Sequence, residues 1–201
     1  MTKKSLISKD YKAINQYMHD NKNYGETNHF INDRILNVII SASKQNACNS
    51  ILDYGCGKGL LIKKLRENLS PSIKVTGYDP GIAEHDIEYS PADFVTCLDV
   101  LEHIEPENIN KVLNDISDHT SGLFICIIDL LPAQKKLPDG RNAHLLIAPH
   151  GWWLDKLSHT FKAGQYCLYS KGNLNKKICY VGTNKNKYIK LMGDVFLRTF
   201  L

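Results

Sequence analysis

The sequence predicts an α/β fold with a mainly parallel central sheet, helices on both faces of that sheet and a C-terminal antiparallel hairpin. Short apolar runs alternate along the chain with segments of helical periodicity, which is the pattern of a parallel sheet covered by helices. A glycine-rich turn joins the first apolar run to a helical stretch, and two strand-like runs flank a polar turn near the end. The 201 residues, of which 43% are hydrophobic, suffice for one core, so we expect a single domain over residues 1–201.

An N-terminal helical segment is predicted over residues 1–45, ahead of a Rossmann-like core over residues 46–201. Asn28 can cap a helix in which apolar side chains recur at helical spacing as far as Ile40. We therefore expect a helix to lead into the first strand of the sheet.

The core begins with a strand, a turn, a helix and a second strand. Ile51 and Leu52 form a short apolar strand ahead of the glycine turn, and a helical stripe over residues 60–65 follows it. A second strand over residues 73–79 ends in an acid and Pro80. This order predicts a βαβ unit with two parallel strands.

The rest of the core continues the alternation of strands and helices. The predicted elements are a strand over residues 94–100, a helix over 106–117, a strand over 123–128, a hairpin whose strands cover 165–169 and 177–181, and a short helix over 188–201. The lysines near the C-terminus are predicted to form a solvated face. They are Lys171, Lys176, Lys177, Lys185, Lys187 and Lys190.

Charge, hydropathy and cysteine usage exclude several classes of protein. The 25 basic and 21 acidic residues leave a net charge of +4, which is too small an excess to indicate a nucleic-acid binder by itself. No apolar run approaches the ~18 residues of a membrane-spanning helix, and the N-terminus lacks the apolar stretch of a secretory signal. The 6 cysteines include no CxxC pair and are expected to be reduced thiols. We therefore expect a cytoplasmic protein with no membrane partner.

The glycine turn is a candidate ligand site. Gly55, Gly57 and Gly59 let the backbone approach a ligand closely, and the following helix points its N-terminal amides at that ligand. The dinucleotide fingerprint needs a glycine where this chain has Leu60, and a Walker loop needs Ser or Thr directly after Lys58. Nicotinamide dinucleotides and ATP are therefore disfavoured.

Two motifs together resemble those of the class I S-adenosylmethionine-dependent methyltransferases. They are ILDYGCGKG over residues 51–59 and VTGYDP over residues 75–80, and the resemblance covers most of the chain. It implies a Rossmann-like fold, S-adenosylmethionine as cofactor and a glycine turn under the methionine part of that cofactor. It also implies that Asp79 accepts hydrogen bonds from both ribose hydroxyls, while Asp53 orients the loop or meets the cofactor's amino group. A carboxylate suits this role because its two oxygens can accept from two adjacent hydroxyls.

The resemblance has one departure and one further implication. About fourteen residues separate Asp79 from the next core strand at Asp93, where the family usually inserts a helix and another strand with an adenine contact. We therefore expect the third strand to be short or missing. Relatives often fold a segment across the cofactor just before the first long helix, which makes Tyr24 a candidate cofactor contact.

A cluster of acids and a histidine follows the central strand. The stretch DVLEHIEP places Asp99, Glu102 and His103 at the carboxyl end of a strand, where ligands bind in open α/β sheets. The spacing brings two carboxylates and an imidazole to one side of a helical turn, so the cluster can hold a divalent ion such as Mg²⁺. The stretch also resembles the DxLEH motif of many class I methyltransferases, which makes Asp99 a candidate cofactor contact as well.

The same spacing resembles the metal site of methyltransferases that act on catechol-type quinone precursors or on the 3′-terminal ribose of small RNAs. That resemblance implies His144 as the ligand that completes the site. A bound ion would lower the pKa of a substrate hydroxyl. Two alternatives stay open: His103 as a base without a metal, and His103 as a packing residue.

Substrate contacts are predicted from Arg141 and Trp152, on either side of a histidine that precedes a predicted helix. Residues 131–141 contain prolines and an Asp-Gly pair and are predicted to form a lid loop. Trp152 and Trp153 cannot face one way on a helix, so we expect one of them in the core.

The predicted function is methyl transfer from S-adenosylmethionine to a hydroxyl oxygen of a small molecule or carbohydrate, with catalytic roles for Glu102, His103 and His144. The first alternative is 2′-O-methylation of an RNA 3′-terminal ribose, which needs a basic groove that the sequence does not favour. The second alternative is a non-catalytic subunit that binds S-adenosylmethionine and needs a partner for activity.

Overall fold

The computed structural model describes residues 6–22, 24, 33–45, 48–171 and 174–200. The strands are β1 (Ser50–Tyr54), β2 (Lys74–Tyr78), β3 (Ala92–Leu98), β4 (Thr120–Asp129), β5 (Ala163–Lys171) and β6 (Leu174–Thr183). The helices are α1 (Lys9–Asn21), α2 (Asp33–Gln45), α3 (Leu60–Asn68), α4 (Ile109–Asp118), α5 (His150–Thr160) and α6 (Ile189–Phe200). Short 3₁₀ turns cover Leu101–His103 and Asn186–Tyr188.

These strands form one sheet in the order β2-β1-β3-β4-β6-β5. The first four strands in that order pair in parallel. Strand β6 lies antiparallel between β4 and β5. The structure therefore confirms the predicted fold class, a mainly parallel sheet that ends in an antiparallel hairpin.

The segment between β2 and β3 explains why one edge of the sheet is short. Residues 79–91 contain turns and bends but no helix or strand, so β2 forms the edge. Hydrogen bonds within the segment hold it as a tight loop, because Asp79 N donates to His85 O at 3.1 Å and His85 N donates to Ile82 O at 2.9 Å. The predicted absence of a third strand at this point is confirmed.

Helices cover both faces of the sheet because the side chains of its central strands alternate between two cores. On β4, Phe124 and Cys126 join the core under α1, α4 and α5. Ile125 and Ile127 join the core under α2, α3 and α6. Because successive side chains of an apolar strand point to opposite faces, one strand contributes to the cores on both faces of the sheet.

The predicted N-terminal helical segment contains two helices, α1 and α2. Helix α1 begins after Ser8, whose side chain accepts a hydrogen bond from Tyr11 N. The start of the second helix that was predicted at Asn28 lies outside the described residues. No helix within the described ranges is long and apolar enough to cross a membrane.

The two adjacent tryptophans occupy different environments, as predicted. Trp153 has no exposed surface and packs among α4, α5 and the sheet, whereas Trp152 is partly exposed and meets Trp153 edge to face at 5.0 Å between ring centroids. Trp153→Ala should lower the free energy of unfolding by about 3 to 5 kcal/mol, because it leaves a large cavity in the core. Trp152→Ala is the matched control, and urea unfolding of both variants measures the difference. Equal losses would contradict this assignment.

Candidate active site

A cavity of about 730 Å³ lies at the edge of the sheet where the parallel strands end. Its floor includes the residues that follow those strands: Gly55 after β1, Asp79 after β2 and Asp99 after β3. Asp129, the last residue of β4, also lines it. This is the edge at which open α/β sheets bind their ligands.

The glycine turn has the backbone conformation that the sequence predicted for a close approach to a ligand. Gly55, Gly57 and Gly59 all have positive φ angles, of 77°, 51° and 75°. A Cβ atom on Gly55 would lie 2.4 Å from Val100 Cγ2, so that position admits no side chain without a shift of Val100. Gly55 and Gly57 line the cavity, whereas Gly59 caps α3.

Asp79 is locked to the glycine turn by backbone hydrogen bonds. Its Oδ2 accepts from Gly57 N at 2.9 Å and its Oδ1 accepts from Gly81 N at 2.8 Å. The side chain is nearly buried but still lines the cavity. Since each carboxylate oxygen can accept more than one hydrogen bond, Asp79 keeps capacity for donors inside the cavity.

Asp53 lies under the glycine turn and does not line the cavity. Its Oδ1 accepts a hydrogen bond of 2.7 Å from the hydroxyl of Thr96 on β3. Burial raises the pKa of Asp53 to about 7, an effect that the Thr96 hydrogen bond only partly offsets. Of the two roles that the resemblance implied, this position fits an orienting residue better than a contact with a cofactor.

The raised pKa of Asp53 predicts a pH-dependent cost in stability. Because the folded state holds this proton up to about pH 7, stability is highest below the unfolded pKa of 3.8 and falls as the pH rises towards 7. Asp53→Asn should remove that penalty and raise the free energy of unfolding at pH 8 by up to about 4 kcal/mol, with little gain near pH 4. Urea unfolding at both pH values tests this, and a gain that is the same at both would contradict it.

Glu102, His103 and His144 form a cluster within the cavity. Each offers one potential ligand atom, and these atoms all lie within 4.8 Å of one another. Glu102 Oε1 accepts a hydrogen bond of 2.9 Å from Asp129 N, while Oε2 is buried and has no hydrogen-bond partner among the described residues. Burial raises the pKa of Glu102 well above its usual range, and the nearby Asp99 carboxylate raises it further. An unpartnered buried carboxylate oxygen is a position that a cation or a donor would stabilise.

Backbone carbonyls orient both imidazoles. His103 Nδ1 lies 2.8 Å from Ala143 O, and His144 Nδ1 is hydrogen-bonded to Leu131 O. Since a carbonyl oxygen only accepts, each Nδ1 carries the proton and each Nε2 keeps a lone pair for a metal or a proton. Burial is the main cause that lowers the pKa of His103 to about 4, with a smaller effect from His144, so this ring is neutral at pH 7.

Tyr24 lines the same cavity, where it contacts the histidine cluster. Its hydroxyl lies 2.7 Å from His103 Nδ1, and the two rings meet edge to face. Burial raises the pKa of Tyr24 well above its usual value, so the phenol is neutral. No pattern in the sequence indicated that Tyr24 and His103, 79 positions apart, are neighbours.

Lys177 corrects one prediction. The sequence assigned this lysine to a solvated face, but only 8% of its surface is exposed and its Nζ lies in the cavity between two acids. Lys177 Nζ is 2.7 Å from Asp99 Oδ1 and 3.1 Å from Asp129 Oδ2. Lys177 pairs with Asp129 across β4 and β6, so the register of the hairpin brings it to the carboxyl edge of the sheet.

Asp99, the fourth predicted metal ligand, is therefore engaged by a cation, although its carboxylate is still close enough to raise the pKa of Glu102. Its carboxylate is paired with Lys177, and the group of mutually close ligand atoms contains Glu102, His103 and His144 without it. Its backbone has a positive φ of 55°, which is uncommon outside glycine and typical of functional sites.

Helix α1 and the loop after β4 cover the cavity. Tyr11, Asn15 and His19, spaced four residues apart, line it from one face of α1. Ser8 fastens the start of this helix, since its backbone N and its hydroxyl donate to the two oxygens of Glu105 at 2.8 and 2.6 Å. Residues 131–135 of the predicted lid loop line the opposite wall. The sequence predicted the loop, and the resemblance predicted a covering segment before the first long helix, but not that helix α1 lines the cavity.

The two predicted substrate contacts do not line this cavity. Arg141 is exposed and its guanidinium pairs with Asp139 at 2.7 and 2.8 Å. Trp152 packs against Trp153, and Lys156 Nζ lies 5.3 Å from the centre of its ring. The structure brings Gly55, Gly57, Asp79, Tyr24 and the Glu102–His103–His144 cluster together, but not these two residues.

Solved methyltransferase structures share this fold at low sequence identity. An O-methyltransferase family protein from Burkholderia thailandensis has a TM-score of 0.57 and 11% identity, over 90% of this chain and 64% of that one. The plantazolicin methyltransferase BpumL, in complex with SAH, has a TM-score of 0.55 and 12% identity, over 88% and 96% of the two chains. The methyltransferase domain of bacterial CtHen1-CN has a TM-score of 0.52 and 15% identity, over 75% and 98%. The fold is thus the Rossmann-like fold of class I methyltransferases.

Sequence comparison then gives the family. A family model described as a methyltransferase domain matches residues 27–177, which is most of the chain. The chain belongs to this methyltransferase family, and the predicted class, an S-adenosylmethionine-dependent methyltransferase, is confirmed. No curated protein matches the sequence.

Proposed function

We propose that this chain transfers the methyl group of S-adenosylmethionine to a hydroxyl oxygen of a small molecule or carbohydrate, with residues 1–201 acting as one catalytic unit. One observation carries the proposal: the Glu102–His103–His144 cluster and the glycine turn line the same cavity. A cofactor on the turn and an acceptor at the cluster would therefore meet inside one cavity.

The residues at the glycine turn fit the cofactor. S-adenosylmethionine supplies a sulfonium-bound methyl group that an oxygen nucleophile can displace in line. Gly55 and Gly57 would lie under its methionine part, and Asp79 would accept hydrogen bonds from its ribose hydroxyls. Asp53, which is buried, and Gly59, which caps α3, would support the turn without contacting the cofactor. Alignment of acceptor and methyl group would supply most of the rate, an effect of ~7 to 11 kcal/mol in well-oriented model reactions.

The histidine cluster fits a divalent ion. Glu102 Oε2 is buried with no hydrogen-bond partner among the described residues, and backbone carbonyls orient both imidazoles through their Nδ1 atoms. Glu102, His103 and His144 would hold the ion, whose positive charge lowers the pKa of a hydroxyl beside it. If no ion binds, His103 would be the base through Nε2, since its pKa of about 4 leaves the ring unprotonated at neutral pH. The same low pKa makes it a weak base, which favours the metal-assisted route.

One observation favours the RNA-terminal ribose as a second candidate acceptor. A smaller hollow beside the cavity is lined by Lys22, Lys135 and Lys136, all exposed, and Lys135 also lines the main cavity. Lysines at this mouth could meet phosphates of a nucleic acid. The hollow also contains apolar side chains, so we rank a small molecule or carbohydrate first.

The experiment that tests the proposal traces a mass-labelled methyl group from S-adenosylmethionine into metabolite and RNA fractions of a cell extract. We expect label on oxygen in a small molecule or carbohydrate, lost with the variant His103→Ala. Label on the 3′-terminal ribose of RNA would support the second candidate. Binding of S-adenosylmethionine with no labelled acceptor, even with divalent ions added, would contradict catalysis and favour the non-catalytic subunit. Loss of label after chelation, restored by added ions, would support the metal.

A further inference from the structure

We infer that Lys177 withdraws Asp99 from the metal site and so makes the remaining Glu102–His103–His144 set selective for transition-metal ions over Mg²⁺. The inference rests on the proposed metal site and deepens it. It concerns which ion the site takes and which residue decides this.

The carboxylate of Asp99 forms an ion pair with Lys177. Asp99 Oδ1 accepts from Lys177 Nζ at 2.7 Å, and the same ammonium lies 3.1 Å from Asp129 Oδ2. All three side chains line the cavity, and the lysine is 8% exposed. An ammonium enclosed between two carboxylates is a strong, charge-assisted arrangement, and removing one partner from such a site is costly.

The fold holds Lys177 in this place. Residues Asp129 and Lys177 are direct partners in the antiparallel ladder of β4 and β6. Asp99 follows β3, the strand on the other side of β4, and its N donates to Ile127 O at 2.9 Å. Since three neighbouring strands fix the backbone of the three residues, the ion pair belongs to the sheet and not to a mobile loop.

The donor set that remains decides the chemistry. With Asp99 included, the site would offer two carboxylates and two imidazoles, a mixture that hard ions accept. Without it, the site offers one carboxylate and two imidazoles, and imidazole nitrogen suits Zn²⁺, Fe²⁺ or Co²⁺ better than Mg²⁺, which prefers oxygen. Three protein ligands also leave coordination positions open, as catalytic sites require.

The charge of Lys177 does not select the ion by itself, because an ammonium repels every divalent ion to the same extent. The selection comes from the carboxylate that Lys177 holds in an ion pair, since Asp99 Oδ1 accepts from its Nζ at 2.7 Å. Lys177 is therefore a specificity-determining residue for the metal.

The first test measures Mg²⁺ and Co²⁺ binding to the chelator-stripped full chain by calorimetry, and the visible absorption of bound Co²⁺. We expect the wild type to bind Co²⁺ at least about a hundredfold more tightly than Mg²⁺. Asp99→Asn should change the Co²⁺ affinity by less than about threefold and leave its absorption spectrum unchanged, whereas His144→Ala should weaken it by about tenfold or more. A drop of tenfold or more with Asp99→Asn would overturn the inference, because Asp99 would then be a ligand.

The second test releases Asp99. Lys177→Met should raise the Mg²⁺ affinity by about tenfold and the Co²⁺ affinity by clearly less, because a freed carboxylate favours the harder ion. The double variant Lys177→Met with Asp99→Asn should return the ratio of the two affinities to the wild-type value. Lys162→Met, at an exposed lysine just before β5, is the matched control and should change neither affinity.

The outcomes separate this inference from the proposed function. An equal gain for both ions in Lys177→Met would overturn the inference, because charge alone would explain it. If the wild type binds neither ion, the proposed metal site fails and the inference fails with it, while S-adenosylmethionine binding can still be measured on the same sample. If Lys177→Met does not fold, as its melting curve would show, the Asp99→Asn result decides.

Discussion

Replacing His103 with alanine should lower kcat for methyl transfer by about two to four orders of magnitude, while the Kd for S-adenosylmethionine changes by less than about threefold. The reason is the position of this ring, which lines the cavity beside Glu102 and His144 with Nδ1 on Ala143 O. In the proposed function this ring is either a metal ligand or the base, and both roles act on the acceptor and not on the cofactor. His144→Ala should have a similar effect if an ion is held.

The measurement is single-turnover methyl transfer beside calorimetric binding of S-adenosylmethionine, with one matched control. His159→Ala removes an imidazole that is exposed on α5 and far outside the cavity lining, so it should leave both quantities unchanged. Full activity of both His103→Ala and His144→Ala would remove these residues from the catalytic machinery.

Asp79→Asn should weaken S-adenosylmethionine binding by about 10- to 100-fold, because one carboxylate oxygen becomes an amide nitrogen that cannot accept a ribose hydroxyl. The change should also lower the free energy of unfolding by about 1 to 3 kcal/mol. Gly57 N and Gly81 N each donate to one oxygen of Asp79, and the variant leaves one of these donors without its acceptor.

Calorimetry and urea unfolding of the same samples measure both effects. Asp118→Asn makes the same chemical change at an exposed position at the end of α4 and serves as the control. A variant that loses stability but binds S-adenosylmethionine as the wild type does would show that Asp79 only supports the loop. That result would contradict the assigned ribose contact.

Most of the fold followed from local patterns. Each strand of the parallel part is a short apolar run beside a helix with a clear apolar stripe, and such signals act over a few neighbouring residues. The missing edge strand was also predictable, because residues 79–91 are too few for a helix and a strand. The glycines in the sequence marked the turn. Their positive φ angles in the structure explain why, since a residue with a side chain is strained in that conformation.

The parts of the site that depend on long-range register were not predictable. In the sequence, Lys177 cannot be distinguished from the other lysines near the C-terminus. Only the pairing of β4 with β6 shows that it faces Asp99 and Asp129. Tyr24 was expected near the cofactor, but its contact with His103 and the place of α1 along the cavity depend on packing that no local motif encodes. Arg141 is the opposite case. Its place in the sequence close to His144 suggested a contact with the substrate, but its guanidinium forms an ion pair with Asp139 instead.

The proposed function requires that the 730 Å³ cavity holds a sulfonium nucleoside on the glycine turn, facing the histidine cluster. A crystal structure of the full chain with S-adenosylhomocysteine tests it most directly. We predict the ribose hydroxyls within hydrogen-bond distance of the Asp79 carboxylate and the sulfur atom turned towards Glu102, His103 and His144. A nucleoside bound elsewhere, or bound in this cavity with its ribose away from Asp79, would contradict the account.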